Sequence, residues 1–133
     1  MNKYKSNFER SVASLLKKKK IKFQYESQKV RFVQPAKKRV YKPDFELPET
    51  GTLVECKGRL TLADRQKMVW VKEQNPDLRL VILFSKPYNT IRKGSRTTYA
   101  DWAKENGFDF ADWEKGIPER WLIFNNKKDN KNE

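Results

Sequence analysis

Asp44, Glu55 and Lys57 have the side chains and the spacing for hydrolytic chemistry. Pro43-Asp44 is followed, after ten intervening residues, by Glu55-Cys56-Lys57. Between them Pro48-Glu49-Thr50-Gly51 is turn chemistry, so the chain here folds back as a hairpin. Side chains on a strand alternate faces. Glu55 and Lys57 therefore share one face, with Val54 and Cys56 opposite, and Asp44 shares a face with Glu46. Folding through the turn carries Asp44 towards the end of the returning strand, where Glu55 and Lys57 emerge. Two adjacent carboxylates repel unless a cation sits between them. A hard divalent ion such as Mg²⁺ fits, because it takes carboxylate and phosphate oxygens and keeps water. The lysine can orient that water and offset charge developing on a phosphate. The alternative is a set of solvated charges, since Glu-x-Lys is common in lysine-rich chains. The chain has no histidine. That removes Ser-His and Cys-His nucleophiles and the commonest zinc ligand.

The elements that must position these residues are readable around them. Ser6-x-x-Glu9 has the form of a capping box, and a helix follows to about Lys18 with Phe8, Val12, Leu15 and Leu16 as its apolar stripe. Glu9 is then either the cap's glutamate or something more. Ile21, Phe23 and Tyr25 alternate as a strand, as do Val30 and Phe32. Gln34 to Arg39 reads as a Pro-marked basic connection, and strand character resumes from Val40 to Leu47. Thr52 to Lys57 is the returning strand. Thr61-x-x-Asp64 opens a second helix to about Gln74, and Leu78 to Phe84 suits a strand buried on both faces. Lys86 to Thr97 is a basic loop. A helix spans about Thr98 to Asn106, with Gly107 as its C-terminal cap. Phe108 and Phe110 suggest a short last strand, and Pro118 opens a helical turn through Trp121. The predicted order of helix, strands, helix, strand, helix is an α/β pattern with a mixed sheet.

The length of 133 residues fits one domain, spanning 1–124, with 125–133 as a disordered polar tail. The net charge of +13 points to a polyanion, nucleic acid before a membrane surface, because no stretch pairs a strong apolar face with a basic one. Three clusters are candidates for phosphate contact: Lys17, Lys18, Lys19 and Lys20; Lys37, Lys38 and Arg39; and Arg92, Lys93 and Arg96. Each could also be an ordinary solvated surface, and at least two of the three are expected to touch DNA. The Trp residues read as core or interface. The lone Cys56 cannot form an internal disulfide, and no membrane-spanning run or signal peptide is evident, so a cytoplasmic setting is expected.

The Pro-Asp…Glu-x-Lys spacing resembles the signature of the restriction-endonuclease-like nucleases. Five stretches, in order, resemble the phage endonuclease I family of Holliday-junction resolvases. They are Ser6–Glu9, Ile21–Glu26, Tyr41–Phe45, Val54–Gly58, and Lys93-Gly94-Ser95 with Tyr99 and Phe108–Asp112. The resemblance implies a restriction-endonuclease-like mixed β-sheet flanked by helices. It also implies a Mg²⁺-dependent endonuclease, resolving four-way DNA junctions by paired nicks, in the host cytoplasm if phage-encoded. The family's acids and lysine match Asp44, Glu55 and Lys57, and a further glutamate matches Glu9. The implied ligands of two Mg²⁺ (or Mn²⁺) per site are Asp44, Glu55, Glu9 and the Cys56 carbonyl. The resemblance further implies an intertwined homodimer in which segment 6–32 is exchanged across a linker at 33–39, so that Glu9 serves the partner's site. Cys56 stands where the family usually has threonine, and the basic arms at both ends are short. Two rivals remain: a non-catalytic basic DNA-binding module, and a related nuclease with another DNA substrate.

Overall fold

The computed structural model describes residues 3–34 and 37–123, with the side chains of Gln34 and Lys37 outside that description. The tail expected at 125–133, the middle of the expected linker and the Lys37 side chain therefore lie outside the described residues.

The hairpin that carries Glu55 and Lys57 forms as its turn residues dictate. Strand β4 (Phe45–Leu47) returns as β5 (Thr52–Lys57), with Phe45 opposite Val54 and Leu47 opposite Thr52. Gly51 closes the turn at φ +73, a conformation an L side chain resists, and its N–H donates to the Leu47 carbonyl at 2.9 Å. Helix α2 (Leu62–Gln74) then crosses to β6 (Arg79–Phe84), which lies parallel to β5. Helix α3 (Tyr99–Glu105) leads to β7 (Asp109–Asp112), parallel to β6. A two-residue strand β1 (Gln24–Tyr25) adds antiparallel to β4, giving the order β1-β4-β5-β6-β7.

Alternation along β5 and β6 divides the core in two. Val54, Cys56, Val81 and Leu83 face helix α1 (Asn7–Lys18) through Val12, Ala13 and Leu16, with Trp121 sealing that side. Leu53, Leu80, Ile82 and Phe84 face α2 and α3 through Met68, Val71, Trp102 and Ala103. A separate antiparallel ribbon, β2 (Val30–Gln34) and β3 (Lys37–Tyr41), packs on the second side through Val30, Phe32 and Tyr41. Full burial of Val12 and Leu16 contributes roughly 2 kcal/mol each, support that a three-turn helix needs because it is marginal alone.

Three expectations are corrected. The strand expected from Val40 to Leu47 is broken at Lys42–Asp44. Buried Pro43 has no N–H to give a ladder. Val40 and Tyr41 therefore belong to the β2–β3 ribbon. The connection expected at 34–39 instead begins β3 at Lys37. Ile21 and Phe23 pack against the α1-side core without ladder pairing, so the first strand is confined to Gln24–Tyr25. The hairpin is covered on both faces, since all of Thr52–Cys56 is buried. The remaining boundaries agree closely with the predicted ones, including Gly107 at φ +76 after α3 and a 3-10 turn at Glu119–Trp121.

Candidate active site

Asp44, Glu55 and Lys57 open onto one cavity of about 420 Å³. Asp44 sits in the break after Pro43, and extending the hairpin register places it opposite Glu55. It is only 8% exposed, and its Oδ2 accepts from the Cys56 N–H at 2.8 Å. In a strand the N–H and C=O of one residue leave on the same side. The Cys56 carbonyl is therefore turned towards Asp44, while its thiol lies in the α1-side core.

Both oxygens of Glu55 have donors. Tyr41 Oη donates to Oε1 at 2.5 Å, and Lys57 Nζ stands 3.4 Å from Oε2. Lys57 is also 3.6 Å from Asp64 Oδ1. Asp64 is the third residue of α2, and its other oxygen accepts from the Thr61 N–H at 3.1 Å in a complete capping box. The helix start thus fixes the lysine from behind.

Glu9 joins the same cavity from α1. Ser6 caps the helix by accepting from the Glu9 N–H, but the Glu9 carboxylate does not return to Ser6. It accepts instead from the Tyr25 hydroxyl and from the Lys5 N–H. The boxes at α2 and α3 are complete, with both reciprocal bonds present. At α1 the carboxylate is diverted to the cavity, so the expected capping box is only half made. In this chain Glu9 and Asp44 meet within one subunit, and residues 30–34 and 37–41 form the β2–β3 ribbon.

The electrostatics favour either a proton or a cation at this site. Burial, and then the Glu55 charge, push the Asp44 carboxyl up to about 8 against the pull of the Cys56 N–H. Burial also raises Glu55, opposed by Lys57 and the Tyr41 hydroxyl. For Lys57, burial works to lower the pKa, but Glu55, Asp64 and Asp44 together raise it above the usual lysine value. Lys57 is consequently an ammonium at neutral pH, a hydrogen-bond donor rather than a base. Among the described residues no group of three Asp, Glu, Cys or His is already gathered as a metal cluster. Three buried carboxylates around one cavity nevertheless form an all-oxygen donor set, which suits Mg²⁺ or Mn²⁺ rather than zinc.

The basic clusters divide by position. The site lies at the carboxyl end of β5, and the loop carrying Arg92, Lys93 and Arg96 leaves the carboxyl end of neighbouring β6, where the Ser85 N–H bonds the Lys57 carbonyl at 3.0 Å. Buried Arg65 ties that loop down by donating to the carbonyls of Leu60 and Ile91. Lys38 and Arg39 are exposed on β3. Lys17, Lys18, Lys19 and Lys20 are exposed at the far end of α1, with Lys18 about 14 Å along the axis from Glu9. Sequence reasoning missed Tyr41, Asp64 and Lys67 as parts of the site. Asp64 was visible only as a cap, which it also is. Lys67 lies at i+3 from it, on the same helix face.

A mixed α/β sheet flanked by helices, with two acids and a lysine at the carboxyl end of its central hairpin, has the architecture of the restriction-endonuclease-like enzymes. Residues 1–132 match the family model for phage endonuclease I. The chain is 41% identical over 119 residues to Endonuclease I of Escherichia phage T7, covering 90% of this chain and 78% of that one. It is 38% identical over 109 residues to Endodeoxyribonuclease 1 of Enterobacteria phage T3, covering 82% and 71% respectively. The chain belongs to the phage endonuclease I family. Among the described residues no helix is long and apolar enough to cross a membrane.

Proposed function

We propose that this protein is a metal-dependent endonuclease that resolves four-way DNA junctions by paired nicks. The observation that carries the reading is the buried pair Asp44 and Glu55, with Lys57 beside them in one open cavity. Asp44, Glu55 and the Cys56 carbonyl would hold one Mg²⁺, and Asp44 with Glu9 a second. Bound there, the cations supply Lewis acidity towards the phosphate and acidify water. Lys57 donates to the attacking water or to a phosphate oxygen, and Asp64 keeps it aimed. In-line attack at phosphorus breaks the P–O3′ bond and leaves a 5′-phosphate and a 3′-hydroxyl. Lys38, Arg39, Arg92, Lys93 and Arg96 would carry the DNA backbone towards this end of the sheet. With Lys17, Lys18, Lys19, Lys20 and Lys37 they engage phosphates rather than base edges.

The working unit on this reading is a homodimer of single-domain chains, 1–124, acting in the host cytoplasm, with two sites related by the two-fold axis as the junction's strands are. Opening the β2–β3 turn within 33–39 would hand segment 6–32 to the partner. Glu9 would then complete the partner's site through the contacts seen here within one chain. The test is a supercoiled plasmid carrying a cruciform, incubated with and without Mg²⁺. Cleavage at the junction only with Mg²⁺ is expected, and it should disappear in Asp44→Asn, Glu55→Gln and Lys57→Ala while junction binding remains. Salt-sensitive binding without Mg²⁺-dependent breaks would make this a binding module instead. Equal cutting of linear duplex would reassign the substrate.

A further inference from the structure

Lys67 stands in the catalytic cavity with a role the two-acid, one-lysine scheme leaves unfilled. It is half-buried on α2, and its ammonium lies 5.3 Å from the centre of the Tyr41 ring. Tyr41 is itself 4% exposed and pinned at its other end by the hydroxyl bond to Glu55. The platform under the lysine is therefore rigid. Glu55 does not need Lys67 as a counter-ion at contact distance, because Tyr41 and Lys57 already occupy its two oxygens. Among the described residues no carboxylate comes within ion-pair distance of Lys67, although it acts through space on Glu55 and Asp64. Lys67, with Val40, lines both the catalytic cavity and a neighbouring groove of about 350 Å³, which Arg39, Gln66 and Asp64 also line. A cation over an aromatic face is held weakly at a partly exposed site, enough to orient a lysine but a weak reason to keep one facing a cavity.

We propose that Lys67 is a substrate-binding residue of the active site, gripping a DNA phosphate next to the scissile one, with the Tyr41 ring holding its ammonium in place. The proposal rests on the nuclease reading above. A strand lying in the neighbouring groove meets Arg39 and then Lys67 before its next phosphate reaches Lys57 and the carboxylates. Tyr41 is a positioning residue for both, orienting Glu55 with its hydroxyl and Lys67 with its ring.

The experiment uses the full chain with Lys67→Met, which keeps the alkyl stem on the ring, Lys67→Gln as a second neutral variant, and Lys67→Arg as the conservative one. Junction binding is measured across KCl concentrations in an Asp44→Asn background, and cleavage is measured with Asp44 intact. Each neutral variant is expected to bind about 10-fold more weakly, with the slope of log K against log salt reduced by about 0.9 per site. Lys67→Arg should restore both, and the Mg²⁺ concentration for half-maximal cleavage should not move. An unchanged salt slope in both neutral variants overturns the proposal, as does a loss that appears only in the Mg²⁺ requirement. If the unsubstituted protein fails to cut the junction, the nuclease reading fails, and the salt slopes still decide the phosphate contact.

Discussion

Replacing Asp44 with asparagine should make the metal-free protein more stable, and by an amount that grows with pH. The substitution keeps an oxygen to accept from the Cys56 N–H and removes a charge that burial and Glu55 both oppose. An aspartate ordinarily titrates near 3.8, and here the carboxyl is pushed up to about 8. For a group raised on folding, the stabilising contribution is complete below 3.8 and is lost as the pH rises through about 8. At 1.36 kcal/mol per pH step, the loss is about 0.6 kcal/mol at pH 4 and at most about 4 kcal/mol at pH 7. Relief of Glu55 acts in the same direction. At roughly 3 °C per kcal/mol for a domain of this size, Asp44→Asn should melt up to about 12 °C above the unsubstituted protein at pH 7, with near-coincidence at pH 4. Melts in EDTA from pH 4 to 8 measure this directly. Added Mg²⁺ should raise the unsubstituted protein towards the variant at pH 8 and should move the variant much less, because cation binding neutralises the same repulsion. Equal pH slopes for the two proteins, or a variant that melts lower at pH 7, would refute the idea that this carboxylate is held against its own charge.

Gly51→Ala should cost about 1–2 kcal/mol, read as a lower urea midpoint with an unchanged m-value, because φ is +73 there while no atom stands within 4 Å of the added methyl. Asp64→Ala should lower stability by about 1 kcal/mol through loss of the cap, and should slow cleavage without changing the Mg²⁺ requirement, since Lys57 loses its rear support. A mixed dimer of Glu9→Ala and Asp44→Ala chains distinguishes the two arrangements of Glu9. Segment exchange concentrates both lesions in one site and leaves one nick per junction, whereas an unexchanged dimer nicks neither strand.

Much of the frame was legible because its signals were local. Thr61-x-x-Asp64 and the run to Gln74 delimit α2, and β5 follows from the turn at Pro48–Gly51 and its alternation. The facing of Glu55 and Lys57 followed from period two alone. The break at Lys42–Asp44 was not legible, because a proline such as Pro43 can lie within an edge strand as well as between strands. The Glu9 carboxylate was harder still. Its N–H obeys the local capping rule, while its oxygens answer to Tyr25, sixteen residues away in sequence. Tyr41 and Lys67 escaped notice because their meaning is a stacking between a ribbon and a helix that no spacing encodes. The charge clusters were legible as exposed surface, but their distances from the cavity depend on where each element ends.

The amide of Cys56 has a consequence for how this protein can be observed. Asp44 is anchored to main chain, so the side chain at position 56 takes no part in that contact, and it is the chain's sole thiol. It is 7% exposed, and burial holds it far above the range in which a thiolate reacts. Alkylation can proceed only when the β5 strand comes loose from α1, so the labelling rate of the native protein clocks the opening of β5 without any engineered reporter.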